Sequence, residues 1–490
     1  MKRSALRLRH VGLFVCLSVL AAGCSRALPS ISGAPSAPPT RAEPWRPPAG
    51  VVPPEPRAAE GLAVARDSVS PTAPLALAQI VDIALRNNPQ TQLSWAQARA
   101  GAATYGAADA AYFPTIDASS NIAQSQTTSQ LGSIERRTIS PQANISYLLF
   151  DFGGRGGSVA AARAAAVALD LTHNATLQNV ALQTEAAYFS YQAQRGLLDA
   201  ARLTVATADT NLASARQRNQ AGVATIADVL QAETVLAQAQ LDLETAEGNV
   251  QTTRAGLAVA MGLPANAPFQ LAAAPDSIIV APPTASVDTL IDRALALRPD
   301  LASIRVQIQQ AQANVRVARS AELPALTLGG NVGKVFSNLN TFSGLNYTVT
   351  LGVSLPIFNL ARQANVTAAE AQVEAAAARA ALLRIQVGQQ VYTAYYSLQT
   401  ATQRAKTTDV LLASATRSEE VALARYRAGV GTIVDLITAQ QALANARAQQ
   451  AQSRWTWATA LAQLSHDVGM LGPGTASGPL IGGDSNGVRR

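Results

Sequence analysis

The sequence predicts a mostly α-helical, internally duplicated protein in which long antiparallel helical hairpins are combined with a smaller β portion. One short segment occurs twice, reading AGVATIADVLQA from Ala221 and AGVGTIVDLITA from Ala428. Further landmarks recur in constant order at a nearly constant separation, and four short segments alternate apolar with polar residues. An internal repeat of this kind decides the fold prediction, because each copy is expected to form the same set of elements.

The repeated segment is typical of a tight turn between two helices. In each copy a glycine would end one helix, a threonine would cap the next, and an aspartate at the third helical position would complete a capping box. These residues are Gly222, Thr225 and Asp228 in the first copy and Gly429, Thr432 and Asp435 in the second. We therefore predict two helical hairpins with tips at residues 219–225 and 426–432.

Landmarks outside the tips indicate that a whole segment is duplicated. They are Pro89 and Pro299, Pro114 and Pro324, Phe150-Asp151 and Phe358-Asn359, Phe189-Ser190 and Tyr396-Ser397, and Gly262 and Gly469. We predict a first repeat over residues 75–262, a proline-rich linker over 263–286 and a second repeat over 287–471. The glycine-rich tail over 472–490 is predicted to be disordered.

Most of each repeat has a helical pattern. Residues 76–112 are predicted to form one helix, and longer helices are predicted to end at the two tips. Roughly 60 helical residues would span about 90 Å. Large residues at one heptad position are followed three positions later by alanine, as in Leu198 and Ala201 or Leu212 and Ala215. This pattern lets antiparallel helices approach closely.

Four segments alternate with a period of two, which is typical of strands whose two faces meet different environments. We predict strands at about 115–124 and 142–150 in the first repeat, separated by a polar loop over 124–138. The second repeat has corresponding strands at about 325–335 and 346–357. Strands of about ten residues can cross the hydrocarbon core of a membrane at a tilt. A soluble, half-buried hairpin is the alternative.

The N-terminus is typical of a bacterial secretory signal. Basic residues precede an apolar run over residues 11–22, which is too short to span a membrane. The run ends in LAAGC, which resembles a lipobox with Cys24 as the acylated residue, although Ala21 stands where leucine is usual. Ordinary cleavage that leaves a free thiol is the alternative. We predict a signal peptide over 1–23 and an extended, proline-rich tether over 24–74.

Composition and motifs argue against an enzyme and against nucleic-acid binding. Loss of the signal peptide removes four basic residues and leaves 34 basic against 31 acidic ones, so the basic balance is weak. The remaining histidines are His173 and His466, and no Cys-x-x-Cys pair or phosphate-binding glycine motif is present. We predict no enzymatic activity, no cofactor, no metal and no nucleic-acid partner.

Together these features resemble the outer membrane efflux protein family, the TolC-like channels. The resemblance covers about residues 75–470 and depends on the element order, which is helix, proline, two strands, Phe-Asp or Phe-Asn, long helix, tip, helix and glycine. The lipobox is similar to that of the lipoprotein branch, which serves resistance-type multidrug pumps. The resemblance implies four transmembrane strands per chain and a trimer with a 12-stranded β-barrel and an α-helical tunnel through the periplasm.

The resemblance also implies roles for the tips. Their exposed residues would contact a periplasmic adaptor protein, and these are Ala221, Gly222, Val223, Ala428, Gly429 and Val430. A pore constriction would form around Asp435 and its counterpart Asp228, with Tyr426 helping to hold the gate. Thr438 stands where the family usually has a further acidic residue. The structural alternative for both aspartates is helix capping with Thr225 and Thr432.

The implied function is a passive, gated duct of a tripartite efflux system that exports small molecules such as drugs. It would be a homotrimer in contact with outer membrane lipid, lipid-anchored and extending into the periplasm, and an inner-membrane pump would supply the energy. Protein secretion of type I and metal efflux are alternatives within the channel class. A periplasmic coiled-coil adaptor lipoprotein is a further alternative, but it would have one hairpin per chain.

Overall fold

The computed structural model describes residues 30–31, 34–35, 74–129, 132–272, 280–339 and 343–471. The chain divides into two units, Met1–Val69 and Ser70–Arg490. In the first unit, β1 (Ser30–Ile31) and β2 (Ala34–Pro35) form a short antiparallel pair. The predicted signal peptide, Cys24, most of the tether and the tail over 472–490 lie outside the described residues.

The second unit repeats one order of elements. Its helices are α1 (Leu77–Asn87), α2 (Pro89–Asp109), α3 (Gly154–Gln220), α4 (Ile226–Ala260), α5 (Val287–Leu297), α6 (Pro299–Ser320), α7 (Leu360–Arg427) and α8 (Ile433–Asp467). Its strands are β3 (Pro74–Leu75), β4 (Thr115–Ser129), β5 (Gly132–Phe150), β6 (Gln270–Leu271), β7 (Ala325–Ser337) and β8 (Gly344–Ser354). In both halves, two short helices precede a strand pair and a long helical hairpin.

The prediction of one continuous helix over residues 76–112 is wrong, because the chain breaks at Asn88. A residue before proline avoids the helical conformation, and Asn88 is extended with φ −67° and ψ 128°. Its side-chain oxygen accepts the backbone N–H of Gln90 at 2.9 Å and caps α2. The second repeat breaks in the same way at Arg298, before Pro299.

One antiparallel sheet contains the four longer strands in the order β4, β5, β7, β8. The predicted loop over 124–138 is wrong, since β4 and β5 pair continuously from Thr115 opposite Ser146 to Ser129 opposite Gly132. In this extension, polar side chains of the two strands bond to each other. Gln124 Nε2, for example, donates to Glu135 Oε1 at 2.6 Å. β8 ends at Ser354, earlier than predicted.

The outer strand β8 carries an exposed apolar row. Every second residue from Leu345 to Val353 is apolar and between 65% and 77% exposed. Within this sheet, β4 and β8 each pair along one edge and leave the other edge open. Open edges and contiguous exposed apolar surface are features that proteins usually cover with a partner or a membrane.

The helices α3 and α7 are the longest elements of the chain. They contain 67 and 68 residues, so each spans about 100 Å. α3 packs against α4, α7 packs against α8, and α8 also packs against α3. The predicted heptad pattern agrees with burial, since Leu198, Ala208, Leu212 and Ala215 are all buried. Among the described helices, none is both long enough and apolar enough to cross a membrane.

Candidate functional site

Two tight turns join the long helices of the hairpins. Gly222 and Gly429 have φ of +77° and +74°, a conformation that residues with a Cβ rarely adopt. In the first turn the Val223 N–H donates to Arg218 O at 2.9 Å, and the second turn repeats this bond. The six tip residues are all exposed, and they are Ala221, Gly222, Val223, Ala428, Gly429 and Val430.

A reciprocal capping box opens the helix after each tip. Thr432 Oγ1 accepts the N–H of Asp435 at 3.1 Å, and Asp435 Oδ2 accepts the N–H of Thr432 at 3.2 Å. Thr225 and Asp228 make the same two bonds at 3.2 Å and 2.8 Å. These bonds satisfy backbone donors that a helix start otherwise leaves unpaired. Helix capping is therefore the observed role of both aspartates.

Asp435 presents a negative charge on the exposed side of the second tip. Hydrogen bonding to the Thr432 side chain, and then to its backbone, holds the pKa of Asp435 below its usual range, and the charge of Arg425 acts in the same direction. One turn further on, Thr438 is exposed but donates its hydroxyl to Val434 O of its own helix at 2.8 Å. Asp228 at the first tip is half-buried.

Tyr426 connects the two hairpins near their tips. Its side chain is 8% exposed and packs in one cluster with Leu212, Ala215, Val229, Ala232, Ile433, Leu436 and Ile437. The Arg218 guanidinium lies 4.5 Å from the centre of the Tyr426 ring, and Arg218 Nη1 donates to Tyr426 O at 3.0 Å. A guanidinium over an aromatic face contributes about 0.5–2 kcal/mol. Arg218 thus ties the first hairpin to the second.

Arg218 is not among the site residues predicted from the sequence. A signal was available, because Arg218-Asn219 in the first repeat occupies the place of Arg425-Tyr426 in the second. The two arginines have different partners, since Arg425 acts on Asp435 while Arg218 reaches across to the other hairpin. The duplication alone does not predict which partner each arginine takes.

The two histidines have hydrogen-bond partners within the fold. His173 Nδ1 lies 2.8 Å from Ser94 Oγ, and the His466 ring lies 2.9 Å from Asp467 Oδ1 and 2.8 Å from Asn179 Oδ1. Across the described ranges, no group of three or more His, Cys, Asp or Glu side chains is placed to hold a metal ion. The observed contacts of both histidines join elements of the fold.

We expect Tyr426→Ala to lower the free energy of unfolding by about 3 kcal/mol, because it empties a buried ring site. Tyr426→Phe should cost less than about 1 kcal/mol, because the ring under Arg218 is kept. The Tyr426 hydroxyl is buried and has no hydrogen-bond partner within the described chain. Denaturant unfolding in detergent measures both, with Val421→Ala, an exposed position on the same helix, as control. Equal losses of stability in Tyr426→Ala and Tyr426→Phe would show that the hydroxyl, and not the ring, makes the stabilising contact.

The fold is that of the outer membrane channels of the efflux type. The solved Campylobacter jejuni CmeC outer membrane channel has the same fold, with a TM-score of 0.74 at 20% identity, covering 82% of this chain and 87% of that chain. Residues 80–263 and 290–469 match the family model of the outer membrane efflux protein. The chain belongs to this family, and the predicted family and fold class are confirmed.

Two relatives match over most of their length. Protein CyaE of Bordetella pertussis is 28% identical over 416 residues, which are 82% of this chain and 86% of CyaE. The pyoverdine export outer membrane protein OpmQ of Pseudomonas putida is 30% identical over 392 residues, which are 77% of this chain and 82% of OpmQ. The predicted function in outer membrane efflux is confirmed at the level of the family.

Proposed function

We propose that this protein is the passive, gated outer membrane duct of a tripartite efflux system and that it works as a homotrimer. The observation that carries the proposal is the four-stranded sheet, with its exposed apolar row and its open edges at β4 and β8. Four strands are too few to close on themselves, since about eight are the practical minimum. Three copies would supply twelve strands, cover every open edge and turn the apolar row toward lipid.

The partners would meet the duct at its hairpin tips. Val223 and Val430 are 65% and 69% exposed, although valine is usually buried. Two apolar tips of matching geometry on each chain suit an adaptor protein with a repeated apolar surface. An inner-membrane pump would supply the energy. Acylation at Cys24 would add a lipid anchor to the outer membrane.

Small molecules are the cargo that we propose. The relative OpmQ is named for the export of pyoverdine, and it matches this chain over most of its length. A pump that binds cargo before the duct receives it would set the specificity, so the duct needs no dedicated binding pocket. Purification of the complex with its adaptor and pump would identify that specificity.

Removal of the Asp435 charge tests the pore assignment. Three copies would place three Asp435 carboxylates around the constriction. We expect Asp435→Asn to raise single-channel conductance in planar bilayers and to lower the preference for cations, each by roughly twofold or more. Asparagine keeps the shape of the side chain, so the change acts mainly through the charge.

Asp228→Asn is the matched control, because Asp228 makes the same capping bonds at the other tip but is half-buried. We expect it to change conductance and selectivity less than Asp435→Asn. Unaltered conductance and selectivity in Asp435→Asn would remove this residue from the constriction. A purified wild-type protein that forms no channel at all would contradict the proposed duct.

A further inference from the structure

A cavity of about 230 Å³ lies between the two helical hairpins of the chain. All four long helices line it. The first hairpin contributes Thr204 of α3 and Val235 of α4. The second hairpin contributes Glu419 of α7 and Arg447 of α8. A small molecule held in this cavity would therefore touch both hairpins at once.

Two opposite charges line the cavity without pairing with each other. Glu419 and Arg447 are both half-buried. Among the described residues, Arg447 has no hydrogen-bond or ion-pair partner, and the Glu419 carboxylate accepts one hydrogen bond, from Gln440 Nε2 at 3.4 Å. A charge that is removed from water without a partner is unfavourable. A ligand that pairs with both charges would offset this cost.

The two charges are not part of the packing pattern that the duplication repeats. The counterpart of Glu419, 207 residues earlier, is Leu212, which is 4% exposed and belongs to the apolar cluster near the tips. The counterpart of Arg447 is Gln240, which is exposed and uncharged. The shared architecture of the hairpins therefore does not require either charge. Their presence in one cavity favours a binding role.

The separation of the two charges limits the size of the ligand. Gln440 of α8 contacts Glu419, and Arg447 follows seven residues later, which is about 10 Å along the helix axis. The charged ends of an extended dipeptide lie about 7 Å apart. Because glutamate and arginine side chains are long and flexible, they can cover the remaining distance. A dipeptide thus fits the spacing better than a single amino acid.

The cavity wall between the charges suits an apolar peptide. Val235, Ile437 and Leu443 contribute apolar side chains to it. Thr204 and Thr207 donate their hydroxyl groups to carbonyl oxygens of their own helix, each at 2.9 Å. Each hydroxyl oxygen can still accept a hydrogen bond from a peptide N–H. The wall therefore offers contacts for both the side chains and the backbone of a short peptide.

We propose that this cavity binds a short apolar peptide of about two residues with free termini, its carboxylate on Arg447 and its ammonium group on Glu419. The binding itself does not depend on the proposed duct. The bound peptide would connect the first hairpin to the second and hold them at their present separation. In the proposed duct, it would therefore oppose opening of the tips, and this consequence rests on the proposed function.

The dipeptide leucyl-leucine is a suitable probe for isothermal titration calorimetry of the full-length protein in detergent. We expect one site per chain. The N-acetylated and C-amidated forms should each bind at least roughly tenfold more weakly, because each loses one hydrogen bond between charged groups. Equal binding of all three peptides would overturn the proposal, since it would show uptake by apolar surface or detergent alone. Absence of leucyl-leucine binding would overturn it as well.

Substitutions assign each peptide terminus to its partner. Arg447→Gln should weaken leucyl-leucine binding by at least roughly tenfold and leave binding of the amidated form nearly unchanged, because that form has no carboxylate to lose. Glu419→Gln should do the same with the acetylated form as the insensitive peptide. Arg417→Gln and Glu420→Gln are the matched controls, because both residues are exposed on α7 and do not line the cavity. Equal weakening of all three peptides would contradict the assigned contacts.

Thermal unfolding separates a ligand contact from a structural role of Arg447. Without peptide, Arg447→Gln should unfold at least at the temperature of the wild type, because the substitution removes an unpaired charge. Leucyl-leucine should raise the unfolding temperature of the wild type and leave that of the variant unchanged. A variant that is less stable than the wild type without peptide would show that Arg447 serves the fold, which would overturn its proposed role.

Planar bilayers test the effect of the peptide on opening. Leucyl-leucine on the side of the tips should lower the open probability of wild-type channels by roughly twofold or more, and Arg447→Gln channels should not respond. Binding with unchanged opening would overturn the proposed hold on the hairpins. A wild-type protein that binds the peptide but forms no channel would overturn the duct and leave the binding site intact.

Discussion

Replacement of Gly262 by alanine should lower the free energy of unfolding by about 3 kcal/mol or more. Gly262 follows α4 with φ +75°. An added Cβ would lie 2.5 Å from Asn87 O and 2.6 Å from Asn87 C. These are backbone atoms at the break between α1 and α2, so no side-chain rotation can relieve the overlap. The left-handed backbone adds about 1–2 kcal/mol to this cost.

Two other glycines allow the cost of the steric overlap to be measured apart from the cost of the left-handed backbone. Gly222→Ala is the matched control, because its φ is +77° but nothing lies within 4 Å of an added Cβ, so we expect a loss of only about 1 kcal/mol. Gly469→Ala should fall between them, since its nearest backbone atoms are 3.2 Å away. Thermal unfolding in detergent, followed by circular dichroism, measures all three. Equal losses at Gly222 and Gly262 would show that the backbone conformation alone sets the cost.

The hairpin tips could be predicted from sequence because their interactions are local. Glycine, threonine and aspartate at fixed short spacings make bonds within six residues of one another, and the duplication repeats that spacing. The break at Asn88 is also a local effect, because a proline restricts the residue before it. One continuous helix was predicted over residues 76–112 because the residues on both sides of Pro89 have a helical pattern.

Contacts between the repeats could not be predicted in the same way. Arg218 and Tyr426 are far apart in sequence, and their contact depends on how the two hairpins pack. The extension of β4 was not predicted because Ser, Thr and Gln occupy both of its faces, which removes the alternation that indicates a strand. Both features depend on partners that the local sequence does not specify.

Glu185 should make the stability of the chain depend on pH. Its side chain is 2% exposed, and its Oε2 has no hydrogen-bond partner within the described residues. Burial raises the pKa of Glu185 from 4.5 to about 7. The folded chain therefore holds the proton more tightly than the unfolded chain. The free energy of unfolding is highest below about pH 4.5 and falls by about 3 kcal/mol as the pH rises through about 7.

Glu185→Gln should remove this loss, because an amide of similar shape does not ionise. At pH 8 we expect the variant to be more stable than the wild type by about 3 kcal/mol, and at pH 4 we expect the two to be nearly equal. Denaturant unfolding at both pH values measures the difference. Glu420→Gln, on the exposed surface of α7, is the control and should leave the difference between the two pH values unchanged.

The duplication explains why this site differs between the repeats. The counterpart of Glu185 in the second repeat is Tyr392, which is 52% exposed. The second repeat has no carboxylate at this position, so the ionisation cost arises at Glu185 of the first repeat. Equal stability of Glu185→Gln and the wild type at pH 8 would show that the Glu185 carboxylate is paired or hydrated in the folded protein. The two repeats would then not differ in ionisation cost at this position.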